Sequence, residues 1–132
     1  MTRLLLDTTF LIDAERAGDT LDDAIADDDD VAIAAITVAE LLVGVELAKG
    51  RRRLARQEFI EDIVNTVPVI DYDLDVAQAH AVLLAAVRRK GRPRGAHDLI
   101  IAATARAGER TVLTADAEAF ANLPGVAVHA HR

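Results

Sequence analysis

The sequence has no cysteine and no tryptophan, and only one tyrosine, three phenylalanines and three prolines among its 132 residues. Without thiols there is no disulfide framework, thiolate metal site or cysteine nucleophile, a composition that suits a reducing compartment. Any metal must therefore bind through oxygen or imidazole. No apolar run approaches the length that crosses a bilayer, and Met1-Thr2-Arg3 leads into an apolar segment without a signal-peptide pattern. The expected location is the cytoplasm, with no membrane partner. Internal repeats and low-complexity linkers are also missing, and the length fits a single domain, 1–132, around one core.

What the chain does have is a 52% hydrophobic share, much of it alanine, with aromatics at only 3%. Such a composition specifies a folded protein, not a disordered one, whose helices pack closely around small side chains. The net charge of −7 opposes indiscriminate attraction to phosphate backbones. Yet ten of the fifteen basic residues fall in two short stretches: Lys49 with Arg51, Arg52, Arg53 and Arg56, then Arg88, Arg89, Lys90, Arg92 and Arg94. Each stretch reads either as local positive surface or as a solvated helix end.

The segment that organises the chain is Leu4-Leu5-Leu6-Asp7-Thr8-Thr9-Phe10-Leu11-Ile12, where an apolar run ends in a carboxylate and two hydroxyls. Leu4 to Leu6 is too short for a helix and reads as a fully buried parallel strand. Asp7 then stands at a strand's carboxyl end, where open α/β sheets bind their ligands. The plainer alternative makes Asp7 the cap of a helix over Thr8 to Arg16. Leu21 to Ala26 reads as another short helix, and Asp27 to Asp30 as a solvated turn.

Val31 to Ile36 is the next predicted strand, followed by Thr37-x-x-Glu40, which has the spacing of a capping box at a helix start. Glu40 is thus both a capping candidate and a second acid just after a strand. Arg51 to Asn65 has helical spacing with an apolar stripe of Leu54, Phe59, Ile60, Ile63 and Val64. Val67 to Ile70 reads as a short strand that Pro68 confines to a sheet edge or a strand start. Asp73 to Lys90 reads as a helix with a stripe of Leu74, Ala77, Ala81, Leu84 and Ala85. His80 is expected to be a packed or surface residue, with no second histidine at metal-binding spacing.

Gly91 to Gly95 breaks that helix, and a nearly all-apolar one begins near Ala96. Asp98 lies in its first turn, where a carboxylate facing the interior costs several kcal/mol unless paired, hydrogen-bonded or metal-bound. The helix dipole offsets only about 0.3 to 1 kcal/mol of that. His97, the adjacent residue, points away from Asp98 and is not expected to share a ligand with it. Thr111 to Thr114 reads as a fourth strand that again ends in a hydroxyl and an acid, Asp116. A short helix through Phe120 and a strand over Val126 to Val128 complete the chain, and His129 and His131 read as a terminal tail.

Strands alternating with helices predict an α/β protein with a parallel sheet covered on both faces. Asp7, Glu40 and Asp116 follow strands and share one sheet edge, and the helix opened by Asp98 can reach it. A divalent cation resolves the repulsion of acids gathered there. Carboxylate oxygens without thiols favour Mg²⁺, with Mn²⁺ as the alternative. Such ions bind phosphate and activate water, so the chemistry implied is phosphodiester hydrolysis. Thr9 and Thr114 are placed to support the acids, or to serve as ordinary turn residues.

Asp7-Thr8-Thr9 after a strand, Thr37-x-x-Glu40, Gly91-Arg92-Pro93-Arg94-Gly95-Ala96-His97-Asp98-Leu99-Ile100-Ile101-Ala102-Ala103, and Val112-Leu113-Thr114-Ala115-Asp116 together resemble a PIN-domain ribonuclease of the VapC toxin type. The resemblance spans nearly the whole chain. It implies a PIN-like three-layer α/β/α fold, Mg²⁺ or Mn²⁺ dependence, RNA cleavage, a homodimer and inhibition by a cognate VapB-type antitoxin. By the same resemblance Asp7, Glu40 and Asp98 are the metal-binding catalytic acids, and Asp116 is the fourth. Many relatives carry an aspartate just before the phenylalanine, whereas Ala119 stands here, which makes Glu118 a substitute candidate. Arg88, Arg92 and Arg94, just ahead of Asp98, are the candidates for guiding RNA. Two readings compete: a catalytically inactive PIN-like binding module, and a phosphatase of the haloacid dehalogenase type. The phosphatase needs a second aspartate two positions after Asp7, where Thr9 stands.

Overall fold

The computed structural model describes residues 2–18 and 25–131. Strands β1 (Arg3–Leu6), β2 (Asp30–Ala34), β3 (Val69–Ile70), β4 (Thr111–Thr114) and β5 (Val128–Ala130) form one sheet in the order β3-β2-β1-β4-β5. Every pairing is parallel. Helices α1 (Thr8–Ala17), α2 (Ala35–Leu47), α3 (Gly50–Thr66), α4 (Leu74–Lys90) and α5 (Ala96–Ala107), with a 3-10 turn at Ala117–Phe120, make the connections.

Successive strand residues point to opposite faces, and the two cores divide accordingly. Leu5, Ala32, Ala34 and Val112 pack with Val76 and Leu83 of α4 and with Leu99, Ile101 and Ala102 of α5. Leu4, Leu6, Ile33 and Leu113 pack against Phe10, Leu11, Leu41, Ile60 and Ile63 of α1 to α3. The layers are α/β/α, as expected. β1 lies between β2 and β4, so the chain leaves it toward one side and later returns on the other. That reversal opens a crevice at the strands' carboxyl ends.

Several local expectations shift. β2 ends at Ala34 and α2 begins at Ala35, two residues before Thr37, with no side chain capping it. The expected capping box is therefore absent: Thr37 lies inside the helix, and Glu40 in its second turn is too far along to serve the free amides. On α4 the buried residues are Val76 and Leu83, while Leu74 of the expected stripe is 73% exposed. Alanines at nearly every turn make the period ambiguous, and the larger side chains settle which face is covered. On α3 Ile60 and Ile63 are buried, but Leu54 and Val64 face outward. β3 is an edge strand, as Pro68 requires, and the Pro68 carbonyl accepts from the Ile33 N–H.

The last strand falls at Val128–Ala130. Its end is docked: the His131 ring meets Phe10 edge-on at 4.9 Å, and its N–H donates to the Thr114 carbonyl. His80 packs against Tyr72, with Nδ1 at 2.8 Å from the phenol oxygen. The helix expected over Leu21 to Ala26 falls mainly on positions 19–24, outside the described residues. Among the described residues no helix is long and apolar enough to cross a membrane.

Candidate active site

Asp7 follows β1 at the centre of the sheet and is 1% exposed. It occupies the cap position of α1 but makes no capping hydrogen bond, which removes the plainer reading. Instead its Oδ2 accepts from Thr9 Oγ1 at 2.6 Å and from Thr114 Oγ1 at 2.8 Å. Thr114 is itself buried, and its oxygen takes the Asp116 N–H at 2.9 Å. The two expected supporting hydroxyls thus hold the carboxylate that needs them, and a carboxylate with two donors is satisfied as an anion. Thr9 also occupies the place where the phosphatase reading requires an acid, and there it serves as a donor to Asp7.

Glu40 reaches the same rim from α2. Its Oε1 accepts from Thr8 Oγ1 at 2.8 Å, and Thr8 Oγ1 lies 3.1 Å from the buried Thr37 Oγ1. The other oxygen, Oε2, is 3.3 Å from His97 Nδ1. Sequence reasoning missed Thr8, Thr37 and His97 as site residues. The run of two hydroxyls after Asp7 was a signal for Thr8, but nothing local ties His97 to a residue 57 positions away.

Asp98 stands differently. It is half-buried in the first turn of α5, and no donor among the described residues reaches its carboxylate. Burial, and after it the negative charges of Asp7, Glu40 and Asp116, push its carboxyl above the usual carboxylate range, with His97 as a partial counterweight. Asp98 therefore feels the other acids as one field. Asp116, exposed beyond β4, belongs to that field, whereas Glu118 is exposed and does not figure among its sources.

Among the described residues no three histidine or acidic side chains converge into a ready chelate. The site is an acidic rim that a cation would draw together. Its donors fit a hard divalent ion: they are all carboxylate oxygens, and one of them carries a charge that burial penalises and nothing nearby satisfies. Arg94, expected to face RNA, is engaged elsewhere. Its guanidinium donates to the carbonyls of Ala121 (2.6 Å), Ala119 (2.9 Å) and Glu118 (3.4 Å), tying the α4–α5 loop to the 3-10 turn.

The family model for the PIN domain matches residues 4–126. The chain belongs to the PIN domain family. Within this family it is similar to Ribonuclease VapC5 of Mycobacterium tuberculosis, 39% identical over 127 residues covering 93% of this chain and 89% of that protein. It is 28% identical to Ribonuclease VapC of Rickettsia bellii over 126 residues, 95% of this chain and 93% of the other. A solved member of the VapBC family of toxin-antitoxin systems, VapBC-5 from Mycobacterium tuberculosis, superposes with a TM-score of 0.80 at 29% identity, covering 98% of this chain and 99% of the other. The chain is a VapC-type PIN protein.

Proposed function

We propose that this chain is the ribonuclease toxin of a VapBC-type pair and that it hydrolyses RNA phosphodiester bonds at the rim formed by Asp7, Glu40, Asp98 and Asp116. The observation that carries the reading is the half-buried Asp98 carboxylate, which no donor among the described residues satisfies and whose charge Asp7, Glu40 and Asp116 oppose. The four carboxylates would hold Mg²⁺ or Mn²⁺, and a bound ion of this kind polarises phosphoryl oxygens and lowers the pKa of water. Asp7 contributes a carboxylate held in place by Thr9 and Thr114. Glu40 is steered by Thr8 on one oxygen and His97 on the other. Asp98 is left free to turn to the ion.

Arg88 and Arg92 remain the candidates for guiding the RNA backbone, since Arg94 is committed to carbonyls. The solved VapBC toxin-antitoxin relatives support an antitoxin partner, and a homodimer in the cytoplasm belongs to the same proposed reading. Exposed Leu42, Val43 and Leu47 on α2, with Leu54 on α3, supply apolar surface for the antitoxin. The test is cleavage of a structured RNA by purified chain in chelator, then with Mg²⁺ or Mn²⁺ restored, beside Asp7→Asn. Metal-restored cleavage lost in the variant is expected. Cleavage indifferent to chelator, or undiminished in a folded Asp7→Asn protein, would overturn the reading.

A further inference from the structure

We propose that the cleft between the carboxyl end of α4 and the turn after Phe120 is a nucleotide subsite, which takes the base and phosphate of a single-stranded RNA residue flanking the bond that is cut. The proposal rests on the ribonuclease reading and deepens it. The cavity measures about 340 Å³ and is bounded by Val87, Leu123 and Pro124, by the cations Lys90 and Arg92, and by Asn122. That volume lies at the lower end of the roughly 300 to 1,000 Å³ of small-ligand pockets, a size for one nucleotide and not for a folded helix of RNA.

Charge identifies the occupant. Six of the twelve described arginines are committed: Arg3 and Arg110 to Asp30, Arg53 to Glu46, Arg56 and Arg106 to one carbonyl each, and Arg94 to three. Among the described residues the side chains of Lys90 and Arg92 have no ion pair or hydrogen bond. The dipole of α4 accounts for a cation in its last turn, which covers Lys90. It does not account for Arg92, which lies beyond the helix-ending Gly91. Two unneutralised cations over an apolar floor in a chain of net charge −7 match a phosphate joined to an aromatic base.

Position links the cleft to the acidic rim. One wall, residues 90–94, runs into Asp98 four positions after Arg94. The other follows Asp116 through the 3-10 turn to Asn122. Arg94 forms part of the lining, and its three carbonyl bonds lock the walls together, so the cleft is formed before RNA arrives. Asn122 has φ +62°, and its side-chain amide has no partner among the described residues. An amide offers both donor and acceptor to a base edge.

The experiment measures binding of a short single-stranded oligoribonucleotide to the full chain in chelator, across a salt series. Lys90→Gln with Arg92→Gln is expected to weaken binding about tenfold or more and to lower the log–log salt slope by about 0.7 for one released phosphate contact. Arg51→Gln with Arg52→Gln removes the same charge from α3 and is expected to change affinity less than about twofold. Asn122→Gly keeps the left-handed backbone, and should leave the slope unchanged while flattening any preference among nucleobases. Equal losses in the two double variants would reduce the effect to bulk charge and overturn the subsite. So would unchanged binding in Lys90→Gln with Arg92→Gln while the wild-type chain still cuts RNA. A wild-type chain that neither binds nor cuts RNA would overturn the ribonuclease reading itself.

Discussion

The sheet carries carboxylates at both ends of its strands, and the two ends treat them in opposite ways. At the amino end, Asp30 is clasped by Arg3 at 3.1 Å and by the nearly buried Arg110 at 2.9 Å. Asp29 beside it takes the backbone N–H groups of Thr2 and Ala26. At the carboxyl end, Asp7, Glu40, Asp98 and Asp116 share no arginine or lysine among the described residues; hydroxyls and one histidine are their only partners. Arginine would neutralise the charge and close the rim to a cation. Hydroxyls orient a carboxylate while leaving its charge in place. The first arrangement stabilises the fold; the second leaves charge in place at a cost in stability, as the proposed cation site requires.

The largest effect expected from breaking this contrast is at Asp98. Asp98→Asn should lower metal-dependent RNA cleavage by more than about 100-fold, beyond the 10- to 100-fold typical of a residue one shell out. The same change should raise the melting temperature of the metal-free protein, because it removes a penalised charge. The pH dependence follows from the raised pKa. The folded protein holds the Asp98 proton more tightly than the unfolded chain does, so the penalty is absent below the unfolded value of about 3.9. It grows as pH rises through that value and is complete once pH passes the raised folded one. Melting curves of wild type and variant in chelator should therefore converge in acid and separate toward neutrality. Parallel curves, or a destabilised variant, would mean that Asp98 is satisfied in solution.

Thr114→Val tests orientation in place of charge. Valine keeps the branched shape in the strand but removes a donor to Asp7 and the acceptor for the Asp116 N–H. A loss of about 10- to 100-fold in activity is expected, with about 1 to 3 kcal/mol of stability from the unmade bonds. Steady-state cleavage with a denaturant melt separates the two, and full activity would show that Asp7 needs no hydroxyl to hold it. At the opposite end of the sheet the pattern should invert. Asp30→Asn is expected to cost about 1 to 2 kcal/mol in the same melt, with cleavage by the folded fraction unchanged. Lost activity in the folded variant would abolish the division between the ends.

How much of this was legible depends on whether a contact is local. The strands were readable as short apolar runs, Asp7 and Asp116 stood out just after two of them, and Asp98 stood out as the one acid in the first turn of a nearly all-apolar helix. The partners were not readable. Thr8 meets Glu40 across 32 positions, and His97 meets it across 57. Thr37-x-x-Glu40 carried a genuine local pattern, but the helix begins two residues earlier and converts both residues from a cap into part of the rim. Arg94 looked like its basic neighbours, and only the folded 3-10 turn supplies the carbonyls that claim it.

Gly95 gives the smallest and sharpest test, because it separates the place of the Asp98 carboxylate from its presence. The backbone there, φ −57° and ψ 132°, suits any residue. An added Cβ, however, would lie 2.7 Å from Asp98 Oδ2, closer than contact allows, so the carboxylate must swing away. Alanine gains about 0.4 to 1 kcal/mol through the unfolded chain and loses a comparable amount as a poor helix cap, so the melt should hardly move. Cleavage at limiting metal should nevertheless fall by about 3- to 10-fold and recover as Mn²⁺ is raised, since the ligand is displaced and not removed. If Gly95→Ala cleaves like wild type at every metal concentration, the carboxylate's rest position carries no weight, and the open room over Gly95 has nothing to do with the rim's readiness for a cation.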